Sequence, residues 1–262
     1  MVTAGIDVGI EATKIAVLKD DELIGKSIGF SGGARRAEAV SRLYAEALAD
    51  AGVDAADVGR VIATGAGKYD VGFADSMVTE PVADAKAARF FLKEAVSAVD
   101  IGADQVRVIS LGADGAIDEI ALNQKCGAGI GTLLRYICRR LEMDFADMPC
   151  LTGSVAVNDG CVVFAELDAL ELLNKGVPKE EVAAAVVYAM AVRANMVLND
   201  KTRPAKEGTV LLGGVSRNEA FVCALKERSG ISFLVPDDAV FGGAIGAALL
   251  REKGDSHEEQ VS

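Results

Sequence analysis

Apolar and polar positions alternate in short runs at the start of the chain. Thr3–Val8 is apolar and ends in Asp7-Val8-Gly9, and Thr13–Leu18 follows at once. Asp20-Asp21 then turns the chain into Glu22–Ile28, so the opening predicts a three-stranded antiparallel meander. From Ala34 to Ala51 the pattern changes to helical spacing, with Val40, Leu43, Tyr44 and Leu48 on one face, and it stops at Gly52. Val58–Ala63 reads as a strand running into Thr64-Gly65-Ala66-Gly67, and a second helix is predicted over Pro81–Val96.

The pattern then restarts. Ala98-Val99-Asp100-Ile101-Gly102 repeats Gly5-Ile6-Asp7-Val8-Gly9, with Asp100 standing 93 residues after Asp7. Strand-like runs at Gln105–Leu111 and Ile117–Leu122 flank a turn at Asp114-Gly115, so the chain carries an internal duplication. Helices are predicted after Gly131, over Val162–Asn174, over Pro178–Asn199, over Phe221–Arg228 and over Gly243–Glu252. Strands are predicted at Thr209–Leu212 and Phe233–Val235. Two duplicated α/β lobes of this kind, each with a glycine turn after its first strand, describe the actin/Hsp70/sugar-kinase (ribonuclease H-like) fold, with ATP in the interlobe cleft. The boundaries read as residues 1–97 plus 240–254 for lobe I, 98–239 for lobe II, and a polar, disordered tail over 255–262.

Composition narrows the function classes. The 262 residues suffice for one large or two ordinary domains. Hydrophobic residues make up 51% but aromatics only 5%, so the core must be aliphatic and rich in alanine and glycine. A net charge of −12 argues against a nucleic-acid or anionic-membrane partner, which needs a basic face. No apolar run reaches membrane-spanning length and the N-terminus lacks a signal-peptide layout, so the expected location is cytoplasmic. The single histidine, His257, lies in the charged tail, which removes mechanisms built on a histidine base.

The glycine turns are candidate phosphate loops. At Asp7-Val8-Gly9 and Asp100-Ile101-Gly102 backbone N–H groups can face phosphate oxygens, which requires residues without side chains. Asp7 and Asp100 are candidates to hold Mg²⁺ through water. Gly213-Gly214-Val-Ser-Arg-Asn218 follows a strand and precedes a helix, as an adenosine or α-phosphate loop would. Gly243 belongs to a run expected to pack behind the base. The candidate nucleotide contacts are therefore Gly9, Lys14, Gly102, Gly213, Gly214, Asn218 and Gly243, with Asp7, Asp100 and Asp104 as candidate catalytic carboxylates.

Five cysteines, an odd number with no CxxC pair, argue against a disulfide framework or zinc ribbon. Cys138, Cys150 and Cys223 read as small buried hydrophobes, Cys223 on an apolar helix face. Cys126 and Cys161 stand at loop-to-helix junctions, Cys126-Gly-Ala-Gly-Ile-Gly131 and Cys161-Val-Val-Phe-Ala-Glu166. A thiolate there is stabilised by the helix dipole and free N–H groups. Two cysteines are half of what a four-iron cluster takes.

Together these stretches resemble one family, the ATP-dependent activators of 2-hydroxyacyl-CoA dehydratases and the homologous ATPase subunits of benzoyl-CoA reductases. The resemblance rests on Gly5–Gly9, Ala63–Lys68, Val99–Gly102, Asn123–Gly131, Cys161–Glu166, Gly213–Asn218 and Gly243–Leu249. It implies one [4Fe-4S] cluster bridging two subunits through Cys126 and Cys161 of each, in a homodimer or in a heterodimer with a paralogous ATPase subunit. It also implies ATP and Mg²⁺, a ferredoxin or flavodoxin as electron donor, and dehydratase or reductase subunits as acceptor. Two positions depart from the family pattern. Ile10 and Glu11 replace a serine or threonine after the first turn, and Ala103-Asp104-Gln105 replaces Gly-Gln-Asp in the second. The loss of the second glycine at Ala103 is also seen in one type of benzoyl-CoA reductase subunit, and the resemblance there points toward a heterodimeric reductase subunit over a free homodimeric activator. The alternatives are a small-molecule kinase of the same fold using Asp104 as base, and a non-catalytic actin-like or sensor module.

Overall fold

The computed structural model describes residues 1–122, 129–149, 155–199, 202 and 204–250. Cys126, Cys150 and the tail from 251 lie outside them. The chain divides into two compact units, Met1–Lys93 with the segment from Phe241 onward, and Glu94–Val240.

In the first unit β1 (Val2–Val8), β2 (Ala12–Lys19) and β3 (Glu22–Phe30) form the antiparallel meander. Helix α1 (Arg36–Ala51) packs on it and ends at Gly52, whose left-handed backbone caps the helix. Then β4 (Val58–Thr64) pairs parallel to β1 and the short β5 (Ser76–Met77) parallel to β4, giving the order β3-β2-β1-β4-β5. Helix α2 (Glu80–Phe91) follows. It stops five residues before the predicted end. Leu92 leaves helical geometry, Arg89 Nη1 donates to the Lys93 carbonyl at 2.7 Å, and the Val96 amide is taken by the Gly208 carbonyl at 2.9 Å. Sheet pairing overrides the helical pattern there.

The second unit repeats the plan. The meander β6 (Ser97–Ile101), β7 (Val106–Leu111) and β8 (Ile117–Leu122) is followed by α3 (Ile130–Leu141), α4 (Val162–Asn174) and α5 (Lys179–Leu198). Strand β9 (Thr209–Leu212) lies parallel to β6, α6 (Glu219–Ser229) follows it, and β10 (Phe233–Leu234) pairs with β9, giving the order β10-β9-β6-β7-β8. Helix α5 is by length and composition long and apolar enough to cross a membrane. Most of its apolar residues are instead buried in this unit, where Val186 and Met190 join Leu134, Ile137 and Phe221 in one core, while Met196 is exposed. One expectation fails on α6. Cys223 is exposed, because the helix turns Ala220, Phe221, Ala224 and Leu225 inward and leaves position 223 on the outer side.

The last helix, α7 (Gly242–Ala248), returns to the first unit. A Cβ on Gly5 would sit 1.8 Å from the Ala244 carbonyl oxygen, and one on Gly246 1.8 Å from that of Ala83. Backbone-to-backbone contact on both sides of α7 thus requires bare Cα atoms, which explains the glycine and alanine content of this region. Gly5→Ala or Gly246→Ala should destabilise the fold by about 1–3 kcal/mol through overpacking, read as a lower urea midpoint.

Candidate functional site

The two hairpins carry the same constellation. Asp7 stands near the end of β1 and faces Lys14 across the ladder, with Lys14 Nζ 3.0 Å from Asp7 Oδ2. Asp100 stands near the end of β6 and faces Arg107, with Arg107 Nη2 2.9 Å from Asp100 Oδ1. All four side chains are largely buried. A carboxylate in that setting needs a paired cation, because burying a lone charge is costly. Between each pair the chain makes a tight turn: the Gly9 amide donates to the Ala12 carbonyl at 3.1 Å, and the Gly102 amide to that of Gln105 at 2.9 Å.

The turns are pinned differently. Ser31, fully buried, donates from Oγ to the Gly9 carbonyl at 2.8 Å, and its amide donates to the Glu11 carbonyl at 2.9 Å. The second turn rests on α3. Both the amide and the Oγ1 of Thr132 donate to the Ala103 carbonyl, at 3.0 and 3.2 Å. A Cβ on Gly131 would come within 2.6 Å of the Gly102 carbonyl, so that contact requires glycine.

Each aspartate also lies against a glycine with a left-handed backbone. Gly65 follows β4 and Gly213 follows β9, and both have φ of 90°. A Cβ on Gly65 would sit 2.6 Å from Asp7 Oδ1, and one on Gly213 2.7 Å from Asp100 Oδ2. Next to Gly65, Thr64 pairs in register with Asp7 and is buried, yet its Oγ1 has no hydrogen-bond partner. An unsatisfied buried hydroxyl costs about 1–3 kcal/mol. A hydrated cation or phosphate oxygen at Asp7 would supply the partner, so the residues present fit a Mg-nucleotide.

The other candidates fall into two groups. Gly214 has open space where a Cβ would stand, as a loop approached by a ligand needs, and Asp104 sits at the tip of the second turn. By contrast Asn218 is fully buried. Its Oδ1 caps α6 by accepting from the Phe221 amide at 2.6 Å, and its Nδ2 donates to the Phe145 carbonyl, so it shapes the loop. Gly243 packs on the Asp7 side chain, 3.3 Å from where its Cβ would be. Sequence reasoning missed Arg107 and Gly65. The signal was present: superposing the copies at a 93-residue offset aligns Lys14 with Arg107.

Cys161 is the N-cap residue of α4 and is half-buried. Asn158 Oδ1 accepts from the Gly160 and Cys161 amides at 3.0 and 2.7 Å, and the Asn158 amide donates to Asp168 at 2.8 Å. Arg193 donates to the Gly160 carbonyl. The thiol is therefore presented from a braced loop, on the helix that leaves Val163, Phe164 and Leu167 exposed. Cys138 differs: burial pushes its thiol above the ordinary cysteine range, which disfavours the thiolate a metal ligand must be. Among the described residues no three His, Cys, Asp or Glu side chains converge as a metal site. Cys161 is a thiol donor at a helix N-terminus, and Cys126 lies outside the described residues.

The duplicated sheets and paired aspartate turns define an α/β protein of the actin/sugar-kinase-like fold. More particularly, the chain belongs to the BadF/BadG/BcrA/BcrD ATPase family, whose pattern matches residues 4–250. It is 33% identical to the (R)-2-hydroxyglutaryl-CoA dehydratase activating ATPase of Acidaminococcus fermentans, over 96% of this chain and 97% of that one. It is 28% identical to one of the benzoyl-CoA reductase subunits of Thauera aromatica, over 95% of this chain and 92% of the other. The crystal structure of the A. fermentans dehydratase component A superposes with a TM-score of 0.84 at 31% identity, covering 95% of this chain and 96% of that one. A ROK-family glucokinase from Streptomyces griseus, at 17% identity and a TM-score of 0.60, shares the fold alone.

Gly65→Ala and Gly213→Ala should each weaken nucleotide binding about tenfold. Strain of about 1–3 kcal/mol at such a backbone, added to the push on the carboxylate, is of that size. Titration with a fluorescent ATP analogue measures it.

Proposed function

We propose that this chain is an ATP-hydrolysing iron–sulfur subunit. Its nucleotide cycle drives a single low-potential electron from a ferredoxin or flavodoxin into an acyl-CoA-processing partner. The observation that carries the reading is the duplicated aspartate–cation turn, each copy faced by a glycine at φ of 90°. Family membership and full-length similarity to dehydratase-activating ATPases and a benzoyl-CoA reductase component support the electron-transfer half.

The assignment of roles follows from the chemistry. Asp7 and Asp100 orient waters on Mg²⁺, and Gly9, Gly102, Gly213 and Gly214 let backbone N–H groups approach the phosphates. Lys14 adds a positive charge beside the first turn. Cys161 and Cys126 supply thiolates to a [4Fe-4S] cluster, and a second copy or a paralogous chain supplies the remaining two. Such a cluster accepts and passes on one electron at a potential set by its surroundings. Helix N-terminus and loop dipoles of α4 tune that potential at Cys161. Moving an electron uphill by about 59 mV changes the equilibrium about tenfold for a one-electron couple, so a rise of a few hundred millivolts requires ATP turnover.

Anaerobic purification with iron and sulfide analysis tests the reading. About four iron per dimer is expected, with a reduced-cluster EPR signal. Cys126→Ser and Cys161→Ser should each lose that signal while ATP binding persists. Asp7→Asn and Asp100→Asn should do the reverse, keeping iron while hydrolysis falls by about 100-fold or more. A protein that stays iron-free after anaerobic reconstitution, yet phosphorylates a small hydroxylated acceptor, would establish the kinase alternative instead.

A further inference from the structure

Among the differences between the two copies of the hairpin, one pair of positions is linked by a hydrogen bond in the second copy. In the first, Ala12 ends the turn and Lys14 meets the aspartate. In the second, Gln105 ends the turn and Arg107 meets the aspartate. The guanidinium there makes two contacts at once: Nη2 donates to Asp100 Oδ1 at 2.9 Å, and Nη1 donates to Gln105 Oε1 at 3.1 Å. A planar guanidinium fork can hold two acceptors in fixed relation, which a point-charge ammonium does not. Arg107 is buried, whereas Gln105 is exposed at the turn, where a ligand can reach it. Asp100 is thereby gripped from two sides, Oδ1 by Arg107 and Oδ2 against the bare Cα of Gly213.

We propose that Arg107 is a positioning residue for ATP hydrolysis: it locks Asp100 and Gln105 into one unit, with the Gln105 amide fixed to orient the attacking water. The inference rests on the assignment of Asp100 to the Mg-nucleotide. Arg107 occupies one acceptor position of Gln105 Oε1 and leaves a second lone pair and both N–H donors of the amide. A side-chain amide so held can accept from a water and donate to a phosphate oxygen, the role a glutamine plays in other nucleotide hydrolases. The amide stands at the end of the turn, and the arginine two residues later holds it there.

The test is a double-mutant cycle on steady-state ATP hydrolysis by the full chain, using Arg107→Lys, Gln105→Ala and the double variant. Arg107→Lys recreates the lysine–aspartate pair already present at Asp7, and thermal unfolding confirms that each variant is folded. Each single change is expected to lower kcat by about 10- to 100-fold, with KM for MgATP within about threefold. The double variant should be no slower than Gln105→Ala alone. Additive losses, or wild-type kcat in Arg107→Lys, would overturn the proposal by showing that the fork serves only the fold. Asp100→Asn is run alongside. If it hydrolyses ATP at the wild-type rate, the underlying assignment of Asp100 fails, and the Arg107 proposal falls with it for that separate reason.

Discussion

A buried carboxylate at the end of a strand is the constraint on which the rest of this structure depends. Asp7 and Asp100 are held largely out of water, and each meets a cation directly opposite on the next strand. That fixes hairpin register, since a one-residue slip would send Lys14 or Arg107 to the other face of the sheet. It also fixes what can lie on the remaining side. The parallel neighbour strands β4 and β9 end beside the carboxylates, and only a residue without a side chain, in a left-handed backbone, fits there. A further glycine, Gly243 at the start of α7, packs on Asp7. The aliphatic, glycine-rich composition is the global trace of these close approaches.

Much of this was legible in the sequence because it obeys short-range rules. Strand alternation, helical spacing and the 93-residue restart placed the major elements, and β8, α4 and β9 have the bounds the pattern predicts. The failures have separate physical origins. The end of α2 is decided by an amide at Val96 that pairs with Gly208, more than a hundred residues away. Cys223 lies in an apolar stretch, but α6 is buried over so broad a face that only the angle of one residue decides its exposure. Arg107 escaped notice because a cation inside a strand reads as a solvated residue until its carboxylate partner is known. Asn218 shows the converse. A polar residue in a glycine loop looks like a ligand contact, and the structure commits both ends of its amide to internal bonds.

The second aspartate turn also touches the start of α3 in its own unit. The carbonyl of Ala103, between Gly102 and Asp104, accepts twice from Thr132 in the first turn of α3, and Gly131 lets the two backbones touch. That helix begins just after the Cys126 motif in sequence and packs against α4, which Cys161 caps. The turn, the fork of Arg107 and the start of α3 are therefore one continuous set of hydrogen bonds and close contacts. Under the proposed function this continuity is what converts a change at a phosphate into a change at a helix terminus. A turn bonded rigidly to a helix cannot shift by itself, because moving it either breaks two hydrogen bonds to one carbonyl or carries the helix with it. The first turn is held by Ser31, just past β3, and its aspartate packs on Gly243 at the start of α7. The duplication thus supplies two similar carboxylate sites anchored by different neighbours, Ser31 for the first turn and Thr132 of α3 for the second.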